Sequence, residues 1–243
     1  MINYFKKIIN RLLPYPCLFC KKMAASSLHA CQACLHDLPI LPYGCLRCAN
    51  ILPISAQKDL CGQCLKNPSA FDETHAIFIY QPPITRLILD LKFHHALVNG
   101  RLIGELLAEK IEQEWYREKT LPTAIIPVPL HQKRLKERGF NQAIEIARPI
   151  KKKLKLPLLK MHCARIKPTK AQANLPANER KQNVLNAFTI RYPIKHQHVA
   201  VIDDVMTTGA TLNEFCRILK KHGVQKIDVW CTARALNIDT HSI

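Results

Sequence analysis

From about residue 75 onward the apolar residues follow two alternating rhythms. Short runs rich in β-branched residues, AIFIY (76–80), TAIIPVPL (123–130), QHVAVIDDV (197–205) and KIDVWCTAR (226–234), have the length of single strands. LPLLKM (156–161) reads as one more strand. Between them, apolar residues return every three or four positions. Ile84, Leu87, Ile88 and Leu91 predict a helix within PITRLILDLKFHHALVNG that ends near Gly100. RLIGELLAEKIEQEWYREK predicts a second, FNQAIEIARPIKKKL a third, and TLNEFCRILKKHG a fourth closed by Gly223. Strands alternating with helices predict an α/β fold: a parallel sheet flanked by helices, with ligands at the carboxyl ends of the strands.

Before residue 66 this rhythm is missing and cysteine replaces it. Eight of the chain's 11 cysteines form four Cys-x-x-Cys pairs: Cys17/Cys20, Cys31/Cys34, Cys45/Cys48 and Cys61/Cys64. Each pair offers two thiolates on a tight turn, and two such turns complete a tetrahedral sulfur site for zinc. The regular intervals predict a repeated unit, two zinc ribbons in series. Sequential pairing is the simplest arrangement, and an iron–sulfur cluster would use the same ligand set. Closed four-sulfur sites leave no position for a substrate, so these metals are expected to be structural. With few large apolar residues here, metal binding must supply much of the folding free energy. Cys163, Cys216 and Cys231 stand alone and read as small core residues. KNPSAFDETH (66–75) reads as the boundary, giving a double zinc ribbon over 1–66 and an α/β domain over 67–243.

Charge narrows the partners. Lys plus Arg is 36 against 18 for Asp plus Glu, a net +18. That surplus favours nucleic acid, an anionic membrane or phosphorylated metabolites. Residues 146–178 hold nine Lys or Arg and no acid, a sign that attracts single-stranded DNA through its phosphates. The same stretch has no aromatic residue, so base stacking is not expected there. No apolar run is long enough for a membrane span. The opening MINYFKKIINRLLPYP is basic and faintly amphipathic, without the long apolar core of a secretion signal. A cytoplasmic protein is expected, with weak membrane-surface contact through this segment as the other option.

AVIDDVMTTGATLNEF (200–215) carries the most specific chemistry. His198 to Ile202 should form a strand with Asp203 and Asp204 at its exit. Thr207, Thr208, Gly209, Ala210 and Thr211 should then turn into a helix. Backbone N–H groups at a helix start and threonine hydroxyls suit a phosphate. Gly209 lets the backbone approach closely, and carboxylates suit sugar hydroxyls. A ribose 5-phosphate satisfies both halves.

DDVMTTGAT resembles the phosphoribosyl-pyrophosphate (PRPP) motif of type I phosphoribosyltransferases. IIPVPLHQKRLKERGFNQA (125–143) resembles the signature of the ComF/GntX family of competence-associated proteins. ARIKPTKAQANLPANERKQNVLNAF (164–188) carries that family's Arg-x-x-x-Thr-x-x-Gln and Arg-x-x-Asn-Val-x-x-Ala-Phe pattern. The transferase half of amidophosphoribosyltransferases is also similar, although the chain has no glutamine-hydrolysing domain. The resemblance implies a type I phosphoribosyltransferase fold, PRPP bound with Mg²⁺, and a part in DNA uptake and natural transformation. It implies that Asp203 and Asp204 hold the ribose hydroxyls and that Thr207 through Thr211 hold the 5-phosphate. Lys133, Arg134 and Arg138 fall where this superfamily places its pyrophosphate loop. Arg165, Thr169 and Gln172 fall in a mobile hood near 163–180. Arg134, Arg138 and Arg165 are the cations expected to act in catalysis. Lys92, in the family-like LKF segment, is a weaker candidate. His94 and His95, as neighbours on a helix, should diverge and are not read as a metal or catalytic pair. Three functions fit: an active transferase whose acceptor no motif identifies, a PRPP-binding factor without turnover, and a scaffold for single-stranded DNA or a competence helicase. The intact acid pair and threonine turn argue against the scaffold. Oligomeric state is not legible in the sequence.

Overall fold

The computed structural model describes residues 15–24, 28–53, 59–168 and 182–236. The amino-terminal part is built from two similar units. The first holds the short strands β1 (Tyr15–Pro16) and β2 (Met23–Ala24), paired antiparallel, and helix α1 (Gln32–His36). The second holds helix α2 (Gly62–Lys66). In each unit a cysteine in extended conformation, Cys31 or Cys61, stands at the helix start.

The rest is an α/β layer structure. In chain order it runs β3 (Glu73–Ile79), α3 (Ile84–Phe93), α4 (Leu97–Lys110), β4 (Ala124–Pro127), α5 (Gln132–Arg138), α6 (Gln142–Leu154), β5 (Cys163–Arg165), β6 (Phe188–Ile190), β7 (His198–Met206), α7 (Ala210–Lys221) and β8 (Lys226–Arg234). The main sheet is all parallel, in the order β3-β8-β7-β4. Alternate residues feed two cores. Ile77, Ile125, Ala200, Ile202 and Trp230 pack with α3, α4 and α6 on one face. Ile126, Val199, Val201, Val229 and Cys231 pack with Leu212, Phe215 and Leu219 of α7 on the other. Burial on both faces explains why the central strands read as continuous apolar runs.

Several elements differ from the sequence reading. The helix expected to end near Gly100 stops at Phe93, and α4 starts at Leu97 and runs through Gly100. The glycines of α4 serve its crossing with α6 rather than a stop. A Cβ on Gly104 would lie 2.3 Å from the Ile146 carbonyl oxygen, and one on Gly100 would lie 3.2 Å from Glu145 Cβ. Gly104→Val should therefore force α4 from α6 at a cost of about 2–3 kcal/mol. Thermal melting should fall by about 5–10 °C, and an unchanged melt would contradict this crossing. LPLLKM forms only one parallel bridge, Leu158 to Ile125, because Pro157 has no N–H to extend the pairing. β3 begins at Glu73, inside the stretch read as a boundary. β7 continues to Met206 because β8 is equally long and pairs with it to Arg234. Asp203 and Asp204 thus lie within a paired strand rather than beyond its exit. β5, at the start of the expected hood segment, pairs antiparallel with β6, which lies beyond it. Thr169 and Gln172 lie outside the described residues.

The second ribbon lies along the β3 edge of the sheet. Leu41 N donates to Ile77 O at 2.7 Å, Ile79 N to Pro39 O at 2.8 Å, and Thr74 N to Leu46 O at 2.8 Å. This covers a strand edge that would otherwise offer open backbone groups. Among the described residues no helix is long and apolar enough to cross a membrane.

Candidate metal centres and anion site

The eight ribbon cysteines gather in two quartets, Cys17/Cys20/Cys31/Cys34 and Cys45/Cys48/Cys61/Cys64, with the sulfurs of each within 4.8 Å of one another. Pairing is therefore sequential. Cys20 and Cys31 sulfurs are 3.8 Å apart, and those of Cys48 and Cys61 are 3.7 Å apart. Four sulfurs at the zinc–thiolate bond length form a tetrahedron with edges of about 3.8 Å, so each quartet fits one zinc ion. A multi-iron cluster would hold its thiolates farther apart.

The thiols are also tuned for a cation. Burial pushes Cys17 up, but the N–H groups of Cys20, Cys31 and Phe19 outweigh it and bring it down to about 6. Cys45 behaves alike: burial is outweighed by the N–H groups of Cys61, Cys48 and Arg47, and it falls to about 7. Hydrogen bonding to Cys31 and burial raise Cys34 to about 12, and burial with the neighbouring Cys48 raises Cys64. Four thiolates this close cannot all ionise without a metal charge between them. Cys163, Cys216 and Cys231 are buried, and burial pushes each thiol up, as suits core residues.

The acid pair sits near the carboxyl end of β7. Asp204 is buried toward α3 and α6, where Oδ2 forms an ion pair with Lys92 Nζ. Asp204 Oδ1 accepts from Gln142 Nε2 at 3.0 Å. Gln142 Oε1 in turn accepts from Arg138 Nη1 at 2.9 Å. Asp203 Oδ1 accepts from the Asp204 N–H at 2.9 Å. Burial and the charge of Asp204 push the Asp203 carboxyl well above the carboxylate range. Burial acts the same way on Asp204, but the Lys92 ammonium and the Gln142 amide outweigh it and lower that carboxyl. The coupling thus favours the neutral form at Asp203 and the charged form at Asp204.

Gln142 and Asn141 are polar site residues that the sequence reading passed over. Gly139, in left-handed conformation at φ 74°, closes α5, and Asn141 opens α6 by accepting from the Ala143 N–H at 2.9 Å. Asn141 Nδ2 donates to Val128 O at 3.0 Å, tying α6 to the end of β4. The signal was present in the quoted GFNQA: two adjacent amides at a predicted helix start.

The threonine turn leads into α7. Gly209 takes φ 77°, and a Cβ there would meet Met206 Cε at 2.7 Å. Thr208 Oγ1 accepts from Ala210 N at 3.4 Å, and Asn213 N donates to Gly209 O at 2.8 Å. Thr207 and Thr208 stand in the turn, and Ala210 and Thr211 open the helix.

Lys92 pairs with Asp204, and the charges of Asp204 and Asp203 act on Arg138 and Arg165. A cavity of 310 Å³ is lined by Lys92, Phe93, His95, Arg134, Glu137 and Arg138. The Arg138 guanidinium lies 5.1 Å from the Phe93 ring centre. Arg165, on β5, lies 5.4 Å from the Phe188 ring centre and bridges to His131. Burial and the nearby Arg134 charge lower Arg165 to about 10, against the opposing pull of Asp203. Lys133 is exposed, and its backbone N–H donates to the His131 ring at 3.2 Å. His94 and His95 do separate, but through the left-handed backbone of His95 at φ 54° rather than helix geometry. His94 turns to Asp90 at 2.9 Å, and His95 lines the cavity.

Comparison with known proteins identifies both parts of the chain. Residues 8–65 match the double zinc ribbon domain, and residues 141–237 match the phosphoribosyl transferase domain. With the quartet geometry, the first match assigns structural zinc to the ribbons. Competence protein F of Haemophilus influenzae is 34% identical over 240 residues, covering 97% of this chain and 100% of that protein. DNA utilization protein YhgH of Escherichia coli is 31% identical over 226 residues, covering 92% of this chain and 99% of its own length. Competence protein ComFC of Bacillus subtilis is 30% identical over 99 residues, covering 41% of this chain and 39% of that one.

Proposed function

Because the chain belongs to the competence protein F (ComF) family, we propose that the carboxyl end of its sheet binds PRPP with Mg²⁺ and that the protein acts in DNA uptake as a phosphoribosyltransferase-like factor. One observation carries this reading. The acid pair near the end of β7 and the Gly209 turn that follows it lie in one short stretch, and the charges of Asp203 and Asp204 act on Arg165 and Arg138. A ligand with a phosphate at one end, a diol in the middle and a pyrophosphate at the other matches that order of groups. The turn and the first N–H groups of α7 take the 5-phosphate. The acids take the 2- and 3-hydroxyls. Asp204 shares oxygens already engaged by Lys92 and Gln142, which the second lone pair of each oxygen permits. Arg134, Arg138 and Arg165 face the pyrophosphate. The oxygen donors of PRPP and the nearby carboxylates suit Mg²⁺, which keeps several waters and offsets leaving-group charge.

Transfer then breaks the C1–O bond, with pyrophosphate taking the electron pair, and forms a bond from an acceptor to C1. The protein contributes fixed cations and exclusion of water rather than a nucleophile. Pyrophosphate release from PRPP in the presence of nucleobases or single-stranded DNA tests turnover. Release with one acceptor class identifies it; tight PRPP binding without release under every acceptor favours the binding factor.

The acid pair gives a second test. Ribose hydroxyls and Mg²⁺ prefer the ionised acid pair, so binding should be accompanied by proton release from Asp203. PRPP affinity should rise with pH through the raised Asp203 value and level off above it. Calorimetry in buffers of different ionisation enthalpy reads the proton directly. Affinity independent of pH, with no proton released, would contradict this role for Asp203.

A further inference from the structure

The second ribbon and the phosphate turn meet at one buried guanidinium. Arg234, the last residue of β8, is 5% exposed. Its Nε donates to Cys48 O at 2.8 Å. Its Nη1 donates to Met206 O at 3.1 Å, to Thr207 O, and to Ala235 O at 2.5 Å. Cys48 is a member of the second sulfur quartet, and Met206 and Thr207 lead into the Gly209 turn.

The knuckle that presents Cys48 is held by its other carbonyls too. Leu46 O accepts from Thr74 N at 2.8 Å, and Arg47 O accepts from Thr74 Oγ1 at 2.6 Å. Three consecutive peptides, 46 to 48, are thus fixed to β3 and β8. The first quartet has no such link: among the described residues its knuckle carbonyls bond within its own ribbon, as Leu18 O does to Lys21 Nζ at 3.2 Å. Among the described residues Arg234 has carbonyl partners and no carboxylate. A buried cation without a counter-charge is costly, and an anion arriving at the adjacent turn would supply one. The guanidinium fork is planar and rigid, so moving the knuckle moves the carbonyls on the fork's other side.

We propose that Arg234 is a positioning residue for the 5-phosphate turn and that the second zinc site, not the first, sets its position. The proposal rests on the PRPP reading of that turn. The test uses the full zinc-loaded chain and two readouts, calorimetric affinity for PRPP with Mg²⁺ and hydrogen exchange at the amides of residues 206–211. Arg234→Lys keeps the charge, but one ammonium cannot reach both Cys48 O and Thr207 O. It should lose PRPP affinity by about tenfold or more and speed exchange at 206–211, while zinc content stays that of the parent. Thr74→Val removes the bond to Arg47 O and should shift both readouts the same way by less. It also keeps the test open if the arginine variant does not fold. Cys48→Ser should weaken PRPP binding, whereas Cys20→Ser should leave it within about twofold. Parental affinity and parental exchange in both Arg234→Lys and Thr74→Val would overturn the proposal, as would equal effects from the two cysteine variants. If the parent protein itself does not bind PRPP, the PRPP reading fails; faster exchange at 206–211 in Arg234→Lys would still establish the link between knuckle and turn.

Discussion

Replacing Asp203 and Asp204 together with alanine should abolish measurable PRPP binding. Each carboxylate–hydroxyl bond to a charged group contributes about 1.5–3 kcal/mol, so losing the pair costs roughly 10²–10⁴ in affinity. The single variants separate binding from folding. Burial and the Asp204 charge favour the neutral form of Asp203, and Asp203→Asn mimics that form. It should melt like the parent protein yet bind PRPP weakly and without releasing a proton. Asp204→Asn keeps an acceptor for Gln142 but removes the partner of Lys92, whose side chain is 20% exposed. Breaking a pair this far buried should cost about 1–3 kcal/mol of stability as well as affinity. Calorimetry and thermal melts on the three variants read these effects. Parental PRPP affinity in the double variant would remove the acid pair from the site.

Removing zinc should have the other large effect. Among the described residues, those buried in the ribbons are mostly cysteine and alanine: Cys17, Ala24, Ala30, Cys45, Ala49 and Cys64, with Leu38 the largest. So little apolar surface stabilises a fold only weakly, whereas structural zinc contributes about 10–16 kcal/mol in comparable peptides. A strong chelator should unfold both ribbons. Release of the second also uncovers the β3 edge at Ile77 and Ile79, so aggregation should follow. Metal analysis should give about two zinc per chain. A chelated protein that stays folded and monodisperse would contradict the structural assignment.

What the sequence reveals depends on distance along the chain. The sulfur quartets were legible because Cys-x-x-Cys fixes two ligands within one turn and regular intervals suggest the pairing. The Asp-Asp-threonine stretch was legible for the same reason: strand, acids, turn and helix lie within about a dozen residues. Gly100 was misread because its neighbour, Glu145 on α6, is remote in sequence, and a glycine inside a helix looks like a stop until the crossing helix is seen. The partners of Asp204 were hidden likewise: Gln142 is 62 positions away, and Lys92 was only a weaker candidate because nothing local ties it to the acids. Arg234 and Cys48 are 186 positions apart, and nothing local in KIDVWCTAR marks its arginine as buried. β5 and β6 escaped notice because three-residue strands carry too few alternations to show a period.

The central claim is that this strand end is a PRPP site, and the most direct test is calorimetric titration of PRPP with Mg²⁺ into the folded, zinc-loaded protein. One PRPP per chain, bound with proton release and lost in the Asp203→Ala, Asp204→Ala variant, is the predicted result. No heat of binding from a sample shown to be folded and to hold both zinc ions would contradict it.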